Sequence, residues 1–152
     1  MRKITSLFLV LVMITSCDVY LESDAYQVTS ITDASGVNVT LEWTDALGSS
    51  SLGLDKIDLD LYLVLNGDTI QRSEETDAFE TLEVSSHFLN LTYYVNINYY
   101  TGDEIANFDI FVSGKSNPEN VIKVEGTIEQ DTINAYGSVI SILKNGDLYT
   151  IE

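Results

Sequence analysis

The sequence predicts an all-β domain, an antiparallel β-sandwich of jelly-roll-like arrangement, on three observations. Apolar and polar residues alternate along most of the chain, turn residues punctuate the runs at short intervals, and no stretch sustains a helical period. Many short strands with tight turns favour two packed sheets over one open sheet, because a sandwich buries both apolar faces and keeps its edges short. With 152 residues, of which 45% are hydrophobic, the chain is long enough to bury one core.

The elements follow in order. A tether at 17–24 leads into residues 25–152 as a single domain, and the first strand is expected at Tyr26-Gln27-Val28-Thr29-Ser30-Ile31. Val37, Val39, Leu41 and Trp43 then alternate with Asn38, Thr40 and Glu42, which sends one face inward and the other to water. Asp45 to Ser51 is small and polar and reads as a loop. Ile57 to Leu65 carries five aliphatic residues at period two, the strongest strand signal in the chain. Asn66-Gly67 tolerates positive φ and predicts a hairpin into Thr69 to Arg72.

Phe79 to Val84 is the next strand, followed by a connection through His87 and a long strand at Thr92 to Tyr100. Thr101 to Glu104 turns the chain into Asn107 to Val112, with Phe108, Ile110 and Val112 inward and Asp109 and Phe111 on the other side. Gly114 to Pro118 is a turn cluster holding the only proline. Further strands are expected at Val121 to Ile128 and Ser138 to Leu143, the latter joined by a second hairpin signal, Asn145-Gly146, to Leu148-Tyr149-Thr150-Ile151.

Ahead of the domain, residues 1–16 have the parts of an export signal: Arg2 and Lys3, the apolar run Leu7 to Ile14, and small residues before Cys17. Leu11-Val12-Met13-Ile14-Thr15-Ser16-Cys17 resembles a bacterial lipobox. The resemblance implies that the Cys17 thiol receives diacylglycerol and that the chain is cut before it. Cys17 is then an anchor, and it is the only cysteine, so no disulfide is expected. More than one acyl chain gives stable anchoring. The expected location is the envelope of a diderm bacterium, at the outer membrane, on its periplasmic or surface face.

Twenty-four acidic residues against seven Lys and Arg give a formal charge of −17. Such a surface repels nucleic acid phosphates and anionic headgroups and attracts divalent cations or basic patches, which excludes nucleic acid as a partner.

Ile57-Asp58-Leu59-Asp60-Leu61-Tyr62-Leu63, then Glu80, then Thr92-Tyr93-Tyr94-Val95-Asn96-Ile97, Gly102 and Phe108-Asp109-Ile110-Phe111-Val112 resemble in order the bacterial pre-peptidase C-terminal domain. The resemblance covers 26–113 and leaves additional strands at 119–152. It implies a compact β-sandwich, accessory to exported enzymes and itself no catalyst, and some members of that family bind calcium.

The residue inventory points away from catalysis. His87 is the only histidine, next to Ser85 and Ser86 in a connection, and an exposed loop histidine is the simpler reading. There is no zinc-binding cluster, phosphate loop or dinucleotide glycine pattern. Asp55, Asp58 and Asp60 form a candidate calcium site, since calcium takes six to eight oxygen ligands, with Asp77, Glu80, Asp103, Glu104 or Asp109 available from neighbouring strands or loops. A solvated acidic face is the alternative.

Tyr94, Asn96, Asn98 and Tyr100 share the outward side of one strand if Val95 and Ile97 point inward, and outward aromatics beside amides suit stacking on sugar rings. Tyrosine that merely fits a half-exposed strand is the alternative. Asp68-Thr69-Ile70 and Asp131-Thr132-Ile133 resemble a short O-glycosylation acceptor pattern of exported proteins, which marks Thr69 and Thr132; turn chemistry is the competing reading. The functional expectation is an envelope lipoprotein carrying a non-catalytic binding or assembly module for a partner protein or glycan. The alternatives are a structural envelope component stabilised by calcium, and an accessory protein of an exported hydrolase system.

Overall fold

The computed structural model describes residues 29–48, 57–74, 79–128 and 136–152, so Cys17, Asp55, Asp77 and Thr132 lie outside the described residues. Ten strands are formed among them: β1 Thr29–Thr32, β2 Gly36–Asp45, β3 Ile57–Leu65, β4 Asp68–Ser73, β5 Phe79–Ser85, β6 Thr92–Gly102, β7 Ala106–Gly114, β8 Val121–Ile128, β9 Tyr136–Asn145 and β10 Leu148–Ile151. They make a β-sandwich of two antiparallel sheets, one of order β1-β10-β9-β6-β3-β4 and one of order β5-β2-β7-β8. The hairpins β3-β4, β7-β8 and β9-β10 stay within a sheet, and every other connection passes from one sheet to the other.

Alternation decides which side chains enter the core. Val37, Val39, Leu41 and Trp43 of β2 and Phe108, Ile110 and Val112 of β7 meet Leu59, Leu61 and Leu63 of β3 and Tyr93, Val95, Ile97 and Tyr99 of β6, all buried. The Trp43 indole N–H reaches across to the Ile57 carbonyl at 3.1 Å and ties the two sheets through a polar contact inside the core. Residues after 113 are part of both sheets: β8 pairs with β7, and β9 sits between β6 and β10.

Three bulges punctuate the six-stranded sheet. Ladder partners leave Ile70 as the extra residue of β4, Tyr100 as that of β6, and Val139 as that of β9. The two Asn-Gly pairs make different turns. Leu65 pairs with Asp68, so Asn66 (φ 54°) and Gly67 (φ 90°) are the two central residues of a type I′ turn. In the second hairpin Asn145 is still in the ladder, opposite Leu148, and the chain turns through Gly146 and Asp147 with only Gly146 at positive φ, 61°, as in a type II′ turn.

Candidate functional site

The outer face of the six-stranded sheet carries most of the residues singled out above. β3 sends Asp58, Asp60, Tyr62 and Val64 outward, because Leu59, Leu61 and Leu63 point into the core. On β6 the same logic turns Tyr94, Asn96 and Asn98 outward. The antiparallel register then sets Val64 opposite Tyr94, Tyr62 opposite Asn96 and Asp60 opposite Asn98, with Arg72 of β4 on the other flank of Tyr62.

The centre of this face is not solvated. Asp60 is only 5% exposed and Asn98 only 2%, and Tyr62 is buried as well. Asp60 Oδ2 accepts the Asn98 amide N–H at 3.0 Å and lies 3.1 Å from the Tyr62 hydroxyl. That hydroxyl is also 2.9 Å from Glu74 Oε1. A phenol has one hydrogen, so two carboxylates compete for it. The Asn98 amide must present its nitrogen to Asp60, because its carbonyl oxygen would be repelled there; this leaves Asn98 Oδ1 buried without a hydrogen-bond partner. Asn96 Oδ1 is buried without a partner too.

Electrostatics follow the burial. Desolvation pushes the Asp60 carboxyl above its ordinary range; the Asn98 and Tyr62 hydrogen bonds oppose this and the Glu74 charge adds to it. Asp58 is raised by desolvation and then by Asp60. The Tyr62 hydroxyl is raised far above that of a free tyrosine, by burial first and by its carboxylate neighbours after that.

The structure keeps Asp58 and Asp60 on one face of β3 but separates Glu80 and Asp109 from them. Glu80 points into the sandwich, fully buried, with the Ser73 hydroxyl donating to it. Asp109 is on the outer face of the opposite sheet, paired with Lys123 at 3.1 Å. Neither can approach Asp60, since the core lies between. Glu104 is in the β6-β7 connection, where its carbonyl accepts the Tyr99 hydroxyl at 2.7 Å. Among the described residues, no group of three or more Asp, Glu, His or Cys side chains converges as a metal site. The residue the sequence reading missed is Glu74, which follows β4 and reaches Tyr62 from the flank.

The expected aromatic platform is divided. Tyr94 (44% exposed) and Tyr100 (58% exposed) face solvent, but Asn98 between them is buried and engaged with Asp60. Five residues lie between Tyr94 and Tyr100, and the six steps along the strand set them roughly 20 Å apart, so each ring offers its own stacking surface. Thr69 is exposed on β4 beside the tight turn. His87 is exposed in the β5-β6 connection, its backbone N–H held by the Ser85 hydroxyl at 3.3 Å.

Two polar clusters fix the β1-β2 and β9-β10 ends. The Asp33 carboxylate takes the N–H groups of Ser35 (2.7 Å), Ser116 (2.7 Å) and Asn117 (3.1 Å), joining the β1-β2 turn to the β7-β8 turn. Desolvation raises its pKa, and these bonds together with the Ser116 hydroxyl outweigh it, so the group stays below the ordinary carboxylate range. Lys144 of β9 has the inward parity of Ile142 and is buried, but its amine reaches Gly146 O at 2.9 Å and Asn90 Oδ1 at 3.3 Å and lies 5.7 Å above the Tyr149 ring.

Arg72, Lys115 and Lys123 are each ion-paired: Arg72 with Glu74, Lys115 with Glu83, and Lys123 with Asp109 and Glu125. With Lys144, these are the only Lys and Arg among the described residues. Such pairs add little stability, but they leave the surface to its excess carboxylates. The sequence matches no protein family, no curated protein and no solved structure at a significant level.

Proposed function

We propose that this protein is a cell-envelope lipoprotein of a diderm bacterium, tethered by acyl chains on Cys17 at the outer membrane, whose β-sandwich is a non-catalytic binding or assembly module for a partner protein or a glycan. The observation that carries the binding role is the outward display of Tyr94 and Tyr100 on an interior strand of the larger sheet. Aromatics held there lose little entropy when they stack on a ligand. The acidic surface, with its described cations already engaged, favours neutral sugars or basic protein patches over anionic ligands. The lipobox-like segment and the pre-peptidase-like strand order over 26–113 support the envelope setting and an accessory role beside exported hydrolases.

Two measurements test this reading. Fractionation of cells expressing wild type and Cys17→Ser is expected to move the protein from membrane to soluble fraction; a variant that stays membrane-bound refutes the lipid anchor. Retention on immobilised envelope polysaccharides and on detergent-solubilised envelope proteins is expected to fall at least tenfold in Tyr94→Ala/Tyr100→Ala. Retention unchanged in that double variant removes the tyrosines from the binding face.

A second reading, a structural envelope component stabilised by calcium, is favoured by the oxygen-rich centre of the same face, where buried amide carbonyls lack donors.

A further inference from the structure

We infer that the half of the six-stranded sheet's outer face centred on Tyr94 and Leu143 binds an uncharged polysaccharide chain laid across the strands.

Parity and register build this face. Tyr93, Val95, Ile140 and Ile142 point into the core, so Thr92, Tyr94, Ser141 and Leu143 point out. The ladders align them in two cross-strand rows. Val64, Tyr94 and Ser141 come from β3, β6 and β9, and Thr92, Leu143, Thr150 and Ser30 from β6, β9, β10 and β1. Leu148 stands two residues along β10 from Thr150. Tyr94 is 44% exposed, Leu143 40% and Leu148 39%, so the face interleaves accessible apolar side chains with hydroxyls.

Charge narrows the ligand. Neither row holds a charged side chain, in a chain of formal charge −17. Lys144, the only Lys or Arg on β1, β3, β6, β9 and β10, has the inward parity and is engaged by Asn90 and Gly146. The surroundings differ. Beyond Asn96 the same face becomes the cluster of Asp58, Asp60 and Glu74, and the outer face of the other sheet carries Glu42, Asp109, Lys123 and Glu125. Asp68 and Glu152 border the neutral rows, at the β3-β4 turn and beside Ser141. An anionic polymer is repelled by that border, and a cationic one finds no counter-charge inside it; an uncharged one meets neither obstacle.

Size and hydrogen bonding decide between a polysaccharide and a protein. Strands about 4.8 Å apart and same-face neighbours about 7 Å apart make the neutral area roughly 19 by 14 Å, or about 270 Å², from β3 to β1 and from Tyr94 to Leu148. A stable complex of folded proteins buries about 800 Å² on each partner, so a second copy or a globular partner has to cover the charged border as well. An extended peptide on a sheet face, away from an edge, leaves its backbone N–H and C=O groups without ladder partners. A polysaccharide offers C–H faces for the Tyr94 ring and Leu143, and hydroxyls for Thr92, Ser141 and Thr150.

The inference rests on the glycan arm of the proposed function and narrows it to an uncharged polymer and to Tyr94 with Leu143. Tyr100 stands apart, roughly 20 Å along the strand.

Affinity electrophoresis of the purified full-length protein in detergent tests the assignment, in gels holding laminarin, mannan, xyloglucan or amylose, with alginate and pectate as the anionic polymers. At least one uncharged polymer is expected to retard the protein roughly tenfold more strongly than either anionic one, with little dependence on salt. Tyr94→Ala and, separately, Leu143→Asp are expected to weaken that retardation by roughly tenfold or more. Glu125→Gln, on the opposite sheet, is expected to leave it unchanged. Melting checks that each variant is folded; if Tyr94→Ala does not fold, Leu143→Asp and Thr150→Lys carry the test. Retardation that survives the Tyr94 and Leu143 variants and is lost in Tyr100→Ala overturns this face while glycan binding stands. Equal or stronger retardation by alginate or pectate overturns the uncharged class. A dimer in sedimentation that Leu143→Asp breaks overturns the inference in favour of a second copy. Retardation by no polymer overturns it together with the glycan arm, and retention on solubilised envelope proteins then leaves the partner-protein arm standing.

Discussion

Adding one methyl group at Gly126 is expected to destabilise the sandwich by about 1–3 kcal/mol, the usual cost of overpacking a core. Gly126 of β8 lies directly opposite Phe108 of β7, and both point inward. The Phe108 ring is buried and lies over the glycine, occupying the space a side chain would take. A Cβ built there falls 2.9 Å from Cε1 and 3.0 Å from Cε2, and closer still to Cζ. Carbon atoms pack favourably at about 3.5–4.0 Å, so the ring has to retreat by roughly 1 Å. It has little freedom to do so, since it is packed among β2, β7 and β8, and an off-rotamer ring costs about 0.5–1.5 kcal/mol. Replacing a strand glycine by alanine returns about 0.5–1 kcal/mol through the unfolded state, which reduces the net loss but does not cancel it. Urea denaturation of wild type, Gly126→Ala, Phe108→Leu and the double variant reads the four corners of a cycle. In the Phe108→Leu background the alanine is expected to be neutral or stabilising, giving a coupling of about 1 kcal/mol or more. A Gly126→Ala protein as stable as wild type, or a cycle with no coupling, would refute the contact as the reason for the glycine.

Three further outcomes are expected. Trp43→Phe removes the donor to the Ile57 carbonyl inside the core and should cost about 1–3 kcal/mol by urea denaturation; a change below about 0.5 kcal/mol would show that the bond does not couple the sheets. Asn90→Ala removes the acceptor shared by the Lys144 amine and the Gly146 N–H and should destabilise by about 1–2 kcal/mol, whereas Lys144→Met, which keeps the volume and removes a buried charge, should cost less; the reverse order would refute the anchoring role of Asn90. Because Asp33 titrates below its ordinary value of 3.8, its contribution is complete above that pH and is lost as the pH falls through its lower folded-state pKa. Melting temperatures of wild type and Asp33→Asn measured from pH 6 to pH 2 should therefore differ at the upper end and converge at the lower, and parallel curves would contradict the assignment.

The strands were legible because their core-facing residues are apolar at period two. Ile57–Leu65, Val121–Ile128 and Leu148–Ile151 match the runs read from the sequence, and the inward set of β7 follows from Phe108, Ile110 and Val112 alone. The outward direction of Tyr94 and Tyr100 came from Val95 and Ile97 in the same way. What local pattern could not supply was sheet order. Asp60 and Asn98 look solvated when each strand is read by itself, and only the pairing of β3 with β6 makes them partners in a buried cluster. Glu80 and Lys144 hold inward positions that the pattern assigns to apolar residues; each has a local partner, Ser73 for one and Asn90 with Gly146 for the other. The same Asn-Gly-Asp tripeptide makes two different turns, one closed by Leu65 and Asp68 and the other by Asn145 and Leu148, a difference the tripeptide alone does not encode.

The first described strand, β1, pairs with β10, the last. A chain made from its N-terminus delivers β1 first, and that strand must wait for Leu148–Ile151 before it has this neighbour. The larger sheet can then close only after the tenth strand has been made. Until that moment the edge of β9 is open to strangers, so protection from aggregation is most needed in the interval before closure.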